Sequence, residues 1–270
     1  MIPLLIGAGV LAAAGFSARW NWWRPKQDGI PILMYHKIGD PPAGSKLGKL
    51  WVSNAKFREQ MAFLSNNGWH PIVLRDLYAF WDKGTPLPPK PVLITFDDGY
   101  LNNYTEAFPI MRDFGFRATL YVVVGTIAGD NRWHDPASET RIPMITWPQL
   151  RELQKAGWEI GSHTMNHPRL HKIDLQQVAV EVEQSRAAIA SELGQTPDSF
   201  AYPYGAGEEV PAVVDAVKKA GYRSAVTVHA GKWPLERLQA MPFNMPRPFV
   251  RGDENLFDFH LNLTRGKCRF

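Results

Sequence analysis

A parallel α/β fold, one domain of alternating strands and helices from about residue 30, is the architecture this sequence predicts. Three observations carry it. Short runs rich in Val, Ile, Leu and aromatic residues recur, and each is followed by a stretch whose apolar positions have helical spacing. Gly, Pro and Asn clusters separate the two kinds of segment. Polar residues able to do chemistry stand just after the apolar runs, where loops leaving C-terminal strand ends carry function in such folds.

The elements follow in order. "IPILMYH" (30–36) reads as a buried strand and "DPPAGSKLGKLW" as a loop. Ser53 or Asn54 caps a helix whose Phe57, Met61 and Leu64 share one face, and Asn67-Gly68 stops it. "HPIVL" is a strand, Leu74 to Trp81 a short helix, and "KGTPLPPKP" a rigid connection to the strand "VLITFDD". "NNYTEAFPIMRDFG" predicts a helix with a proline near its middle, and "RATLYVVVG" a strong β run. Then come a helix at 147–156, the strand "WEIGSH", a long amphipathic helix at 174–193 and the strand and loop "SFAYPYG". The helix "EEVPAVVDAVKKAG" and the strand "YRSAVTV" complete the alternation, and "FDFHLNL" reads as a terminal helix.

Composition narrows the function. With 270 residues, 45 % apolar and 21 % charged, the chain buries a proper core. A net charge of +4 without a long basic run argues against nucleic acid as a partner. Cys268 is the sole cysteine, which excludes internal disulfides and a cysteine-based zinc site.

Residues 1–24 form a separate hydrophobic segment, and 25–29 a linker. No charge precedes Arg19, and Trp20, Trp22 and Trp23 suit a membrane interface. The segment reads as a membrane anchor or as a cleaved signal with small residues at Gly15 and Ser17, and less well as a buried core helix. The protein is therefore expected at the cell envelope, anchored or exported. Arg19, Arg24 and Lys26 favour a cytoplasmic C-terminal domain, but the side of the membrane stays open.

The chemistry concentrates in two motifs. "TFDDGY" ends a strand on adjacent aspartates, Asp97 and Asp98, which repel each other and cost free energy when buried. "GSHTMNHP" places His163 and His167 four residues apart, with Pro168 favouring a loop over a helix. Two imidazoles and one carboxylate make an open site for a catalytic divalent metal. One aspartate can then ligate while its neighbour acts as a base, and the cation relieves the repulsion. An aspartate pair capping the next helix is the bland reading.

Together, "TFDDGY" (95–100) and "SHTMNHP" (162–168) resemble the polysaccharide deacetylases of carbohydrate esterase family 4, the NodB-homology domains, over roughly residues 30–250. "ILMYHKIGD" and "FAYPYG" look like the poly-N-acetylglucosamine deacetylase branch. The resemblance implies a distorted (β/α) barrel over 30–270, a zinc ion (Co²⁺ or Ni²⁺ as alternatives) and removal of N-acetyl groups from an N-acetylated glycan. It implies Asp97 as the base, Asp98, His163 and His167 as metal ligands, and the Tyr204 backbone N–H as an oxyanion donor. Ala201 stands where many members have an arginine. Arg247 in "MPRP" is offered as its substitute and grouped with Tyr204 on the substrate side; a surface charge is the alternative. The late Leu-x-His motif for the acid is not recognisable, His260 reads as structural, and His36, just after a strand, is the candidate acid or substrate contact, with a buried, satisfied histidine as the bland reading. Trp51, Trp133 and Trp147 are candidates to stack a sugar. A lipid-linked or lipopolysaccharide sugar as substrate, a two-carboxylate glycoside hydrolase and a catalytically silent carbohydrate-binding protein are the rival readings.

Overall fold

The computed structural model of the chain describes residues 15, 17, 23 and 25–269. The expected anchor or signal segment therefore lies almost wholly outside the described residues; among these, no helix is long and apolar enough to cross a membrane.

The strands are β1 (Ile32–Tyr35), β2 (Lys37–Ile38), β3 (Trp51–Val52), β4 (His70–Ile72), β5 (Pro91–Phe96), β6 (Thr119–Val122), β7 (Glu159–Ser162), β8 (Ser199–Ala201) and β9 (Ser224–Val226). The helices are α1 (Asn54–Asn66), α2 (Leu74–Lys83), α3 (Phe108–Asp113), α4 (Trp147–Lys155), α5 (Leu175–Leu193), α6 (Pro211–Lys219), α7 (Leu235–Ala240) and α8 (Leu256–Arg265). A seven-stranded sheet runs β1-β5-β6-β7-β8-β9, with β4 on β5, and every pairing is parallel. Residues 245–250 complete the curl as an irregular stave: Met245 bridges Val226 of β9, and Phe249 bridges Met34 of β1. The result is the distorted (β/α) barrel that the motifs imply.

Alternation along the strands sorts the core into layers. Ile32, Leu93, Tyr121, Ala201, Val226 and Met245 meet on the inner side. Leu33, Val92, Ile94, Phe96 and Leu120 face outward against Phe57, Met61 and Leu64 of α1. Leu93, Thr95 and Asp97 therefore share the inner face of β5, and Asp97 arrives at the barrel mouth.

Most elements stand where the sequence places them. Ser53 caps α1 by accepting from Lys56 N–H, and Asn67 and Gly68 end it. Two differences have physical causes. The 102–115 helix opens with a π-helical turn, Asn103–Ala107, ahead of α3. Pro109 has no N–H to give the preceding turn, and the wider turn accommodates its ring. The two-residue ribbon β2–β3 lies where a plain loop was expected, being too short to show a period.

Candidate metal centre and active site

The aspartate pair divides because the backbone breaks its alternation. Asp97 still follows the strand, and its N–H donates to Tyr35 O at 3.0 Å. Asp98 then adopts φ 76° and Gly99 φ 81°. A regular strand would send Asp98 outward; the left-handed turn keeps it in the mouth. At Gly99 a Cβ would also press on Val122 at 3.1 Å, so glycine is required there twice over.

Asp97 faces Arg247. Nη1 donates to Oδ1 at 2.6 Å and Nη2 to Oδ2 at 2.7 Å. Nη1 also donates to Thr95 Oγ1, and Nε to Thr227 O. Arg247 is fully buried on the closing stave, and its donors are committed to Asp97 and the barrel interior. This corrects its placement on the substrate side: it stands under the Asp97 carboxylate, with its donors turned to the barrel interior. Burial pushes the Asp97 carboxyl up, but the charge and hydrogen bonds of Arg247, helped by His163 and His36, outweigh it and hold the group below the usual range.

Asp98 faces the histidines. Its Oδ1 lies 3.4 Å from His163 Nε2 and 3.3 Å from His167 Nε2, and the two nitrogens are 3.2 Å apart. His163 Nδ1 donates to the Ala201 carbonyl at 2.7 Å, which fixes the ring and turns Nε2 to the centre. All three residues are buried, and their ligand atoms lie within 4.8 Å of one another. Two imidazole nitrogens and a carboxylate oxygen so arranged converge on one point. This donor set fits a divalent cation. Burial depresses the His163 pKa, but the Asp98 hydrogen bond and the charges of Asp97 and Asp98 win and raise it. At His167 burial wins, aided by the charge of His163, and the pKa falls to about 4.

The histidine loop is a tight loop, as Pro168 suggested. Thr164 and His167 have φ 69° and 59°, and Thr164 Oγ1 accepts from His167 N–H at 2.9 Å. Glu181 of α5 accepts from the N–H groups of Met165 and Asn166 at 2.9 and 2.8 Å and from the Asn166 side chain at 2.7 Å. Asp98, Thr164, His167 and Tyr204 are four of the six non-glycine residues with positive φ among the described residues. Such strain costs about 1–3 kcal/mol at each site and clusters where function demands the geometry.

A cavity of about 370 Å³ opens above these groups, lined by Asp97, Asp98, His163, His167, His36 and Tyr204, with Trp133, His134, Ser138, Arg169, Val228, Leu47 and Leu50 as its walls. His36 stands at the end of β1, half-buried, and its Nδ1 has no hydrogen-bond partner. Burial lowers its pKa against the pull of Asp98 and Asp97. Tyr204 has φ 58°, and its ring packs on His167 at 4.4 Å. Trp133 packs on His167 at 4.9 Å, whereas Trp51 sits beside Lys37 and Trp147 packs on the core. His260 contacts Phe63 and is not among the cavity's lining residues. Glu181, Arg169 and the fully buried Lys37 are the neighbours that the sequence reading did not single out.

The chain is similar to known polysaccharide deacetylases. Residues 84–225 match the family model described as polysaccharide deacetylase. YxkH of Bacillus subtilis (strain 168) is 30 % identical over 202 residues, 75 % of this chain and 65 % of that protein. The poly-beta-1,6-N-acetyl-D-glucosamine N-deacetylase of Escherichia coli (strain K12) is 24 % identical over 270 residues, 86 % of this chain and 38 % of that protein. The chain thus spans less than two thirds of both relatives. The crystal structure of BC0361, a polysaccharide deacetylase from Bacillus cereus, superposes with a TM-score of 0.73 at 25 % identity, covering 88 % of this chain and 69 % of that one. With a matching family model, a matching barrel and the Asp–His–His cluster at its mouth, the chain belongs to the polysaccharide deacetylase family.

Proposed function

We propose that the protein is a metal-dependent hydrolase that removes N-acetyl groups from the amino sugars of an envelope or extracellular polysaccharide. One observation carries the reading. Asp97, its pKa held below the usual range chiefly by Arg247, lies outside the triad and shares a cavity with Asp98, His163 and His167. A base and a cation-binding set thus stand side by side, as amide hydrolysis requires. The name of the Escherichia coli relative supports a poly-N-acetylglucosamine substrate.

Asp98, His163 and His167 would hold the cation, with zinc the best match to one carboxylate and two imidazoles. When bound it supplies Lewis acidity, polarising the acetyl carbonyl and acidifying water. Asp97 takes the proton of the attacking water as the new C–O bond forms. The Tyr204 N–H donates to the oxyanion; such a donor is worth roughly 2.7–4 kcal/mol. His36 delivers a proton to the sugar nitrogen as the C–N bond breaks. Acetate and a free amine result. The placement at the cell envelope rests on the apolar segment 1–24 and on the polymeric substrate.

Amine detection after incubation with N-acetylglucosamine oligomers and with lipid-linked N-acetylated sugars, with and without chelator, tests this. The reading expects chelator-sensitive amine from the oligomers. Amine from neither substrate at any metal loading would refute it.

A further inference from the structure

Arg169 stands on the rim of the cavity, just past the histidine loop, and is exposed. Its guanidinium lies over the Tyr204 ring, 4.1 Å from the centroid, and that ring packs on His167. The stack fixes a cation beside the reacting centre. Other arginines are matched by carboxylates: Arg247 by Asp97, Arg141 by Asp130, and Arg251 by Asp253. Among the described residues Arg169 has no such partner. A guanidinium resting on an aromatic face keeps its N–H fork free at the edge, where it matches two oxygens of one oxyanion. The cavity's walls also include Tyr204, Val228 and Trp133, whose aromatic and aliphatic surfaces suit a sugar face.

We propose that Arg169 is a specificity-determining residue that selects glycans bearing an oxyanion, carboxylate or phosphate, at or next to the deacetylated sugar. The proposal rests on the deacetylase reading above and names the substrate class of the same cavity. A charge-assisted contact made with the acidic glycan alone favours it roughly tenfold or more over the neutral one.

The test compares kcat/KM on chitotetraose, on chitotetraose oxidised to a 6-carboxylate, and on its 6-phosphate. The wild type is expected to prefer at least one acidic form at least tenfold, and the better form identifies the oxyanion. In Arg169→Gln the acidic-to-neutral ratio falls to near one. In Arg169→Lys, which keeps the charge and loses the fork, it is intermediate. Lys49→Gln removes an exposed cation from an adjoining hollow that shares only Leu47 and Leu50 with this cavity, and is expected to keep the wild-type ratio. Equal wild-type rates on all three glycans, or the same ratio lost in Lys49→Gln as in Arg169→Gln, overturns the proposal. Either result leaves deacetylation itself standing, whereas no turnover of any glycan removes the function on which the proposal rests.

Discussion

Arg247 grips both carboxylate oxygens of Asp97 across a separation of 150 residues, itself fully buried beneath a carboxylate that lines the cavity. The stave that carries Arg247 also joins the first and last strands of the sheet. Closing the barrel and setting the base are therefore one structural event.

Arg247→Met leaves a buried carboxylate unpaired. It is expected to cost about 3–5 kcal/mol of stability. The sign follows from Asp97, whose folded pKa is lowered. That pairing contributes stability above the unfolded aspartate pKa of about 3.9 and loses it as pH falls through the folded value. The Met variant forfeits this contribution at neutral pH, and its Asp97 titrates upward. Thermal unfolding and the acid limb of the rate profile should both show the change; an unaltered profile would mean that Asp97 is not the titrating base.

His163→Ala should lose metal and turnover together. Against burial, the Asp98 hydrogen bond and the charges of Asp97 and Asp98 raise the His163 pKa, so a proton competes with a metal for this nitrogen. Zinc affinity should therefore fall as pH drops below that raised pKa, by roughly tenfold per unit for one proton. Competition with a chromophoric chelator between about pH 5 and 8 measures this, and a flat affinity would exclude His163 as a ligand.

Glu181→Ala removes the acceptor for three hydrogen bonds to the histidine loop without touching the cavity. Supporting contacts of this kind are worth roughly 10–100-fold in metal affinity. The fold should survive, because Glu181 is only half-buried. Unchanged affinity would show that the loop holds itself.

Lys37→Met is expected to stabilise. Lys37 is fully buried, and its ammonium makes no hydrogen bond. It rests 4.6 Å from the Tyr100 ring centroid and 5.4 Å from that of Trp51. Such contacts return about 2 kcal/mol when desolvated, less than the several kcal/mol of dehydration. Burial lowers its pKa despite Asp98 and Glu139, so the gain should shrink as pH climbs toward the ordinary lysine value. Calorimetry should show a gain on the order of 1 kcal/mol, and a lower melting temperature would mean that attraction to the two carboxylates prevails.

The sequence made legible what is local. His163 and His167 sit in one loop, and Asp97 and Asp98 end one apolar run, so spacing and strand ends reveal them. Arg247 is set by long-range closure, and the one clue was its apolar setting between two prolines in "MPRPFV". The left-handed φ of Asp98 escapes any alternation rule, because alternation predicts the opposite face. Lys37 and Glu181 are charged types that pattern reading assigns to solvent; their surroundings come from elements far along the chain.

The division of labour between the two aspartates is tested most directly by measuring zinc content and acetate release on one sample of Asp97→Asn. The account predicts a full equivalent of zinc and no acetate from N-acetylglucosamine oligomers. Acetate released at the wild-type rate would contradict it.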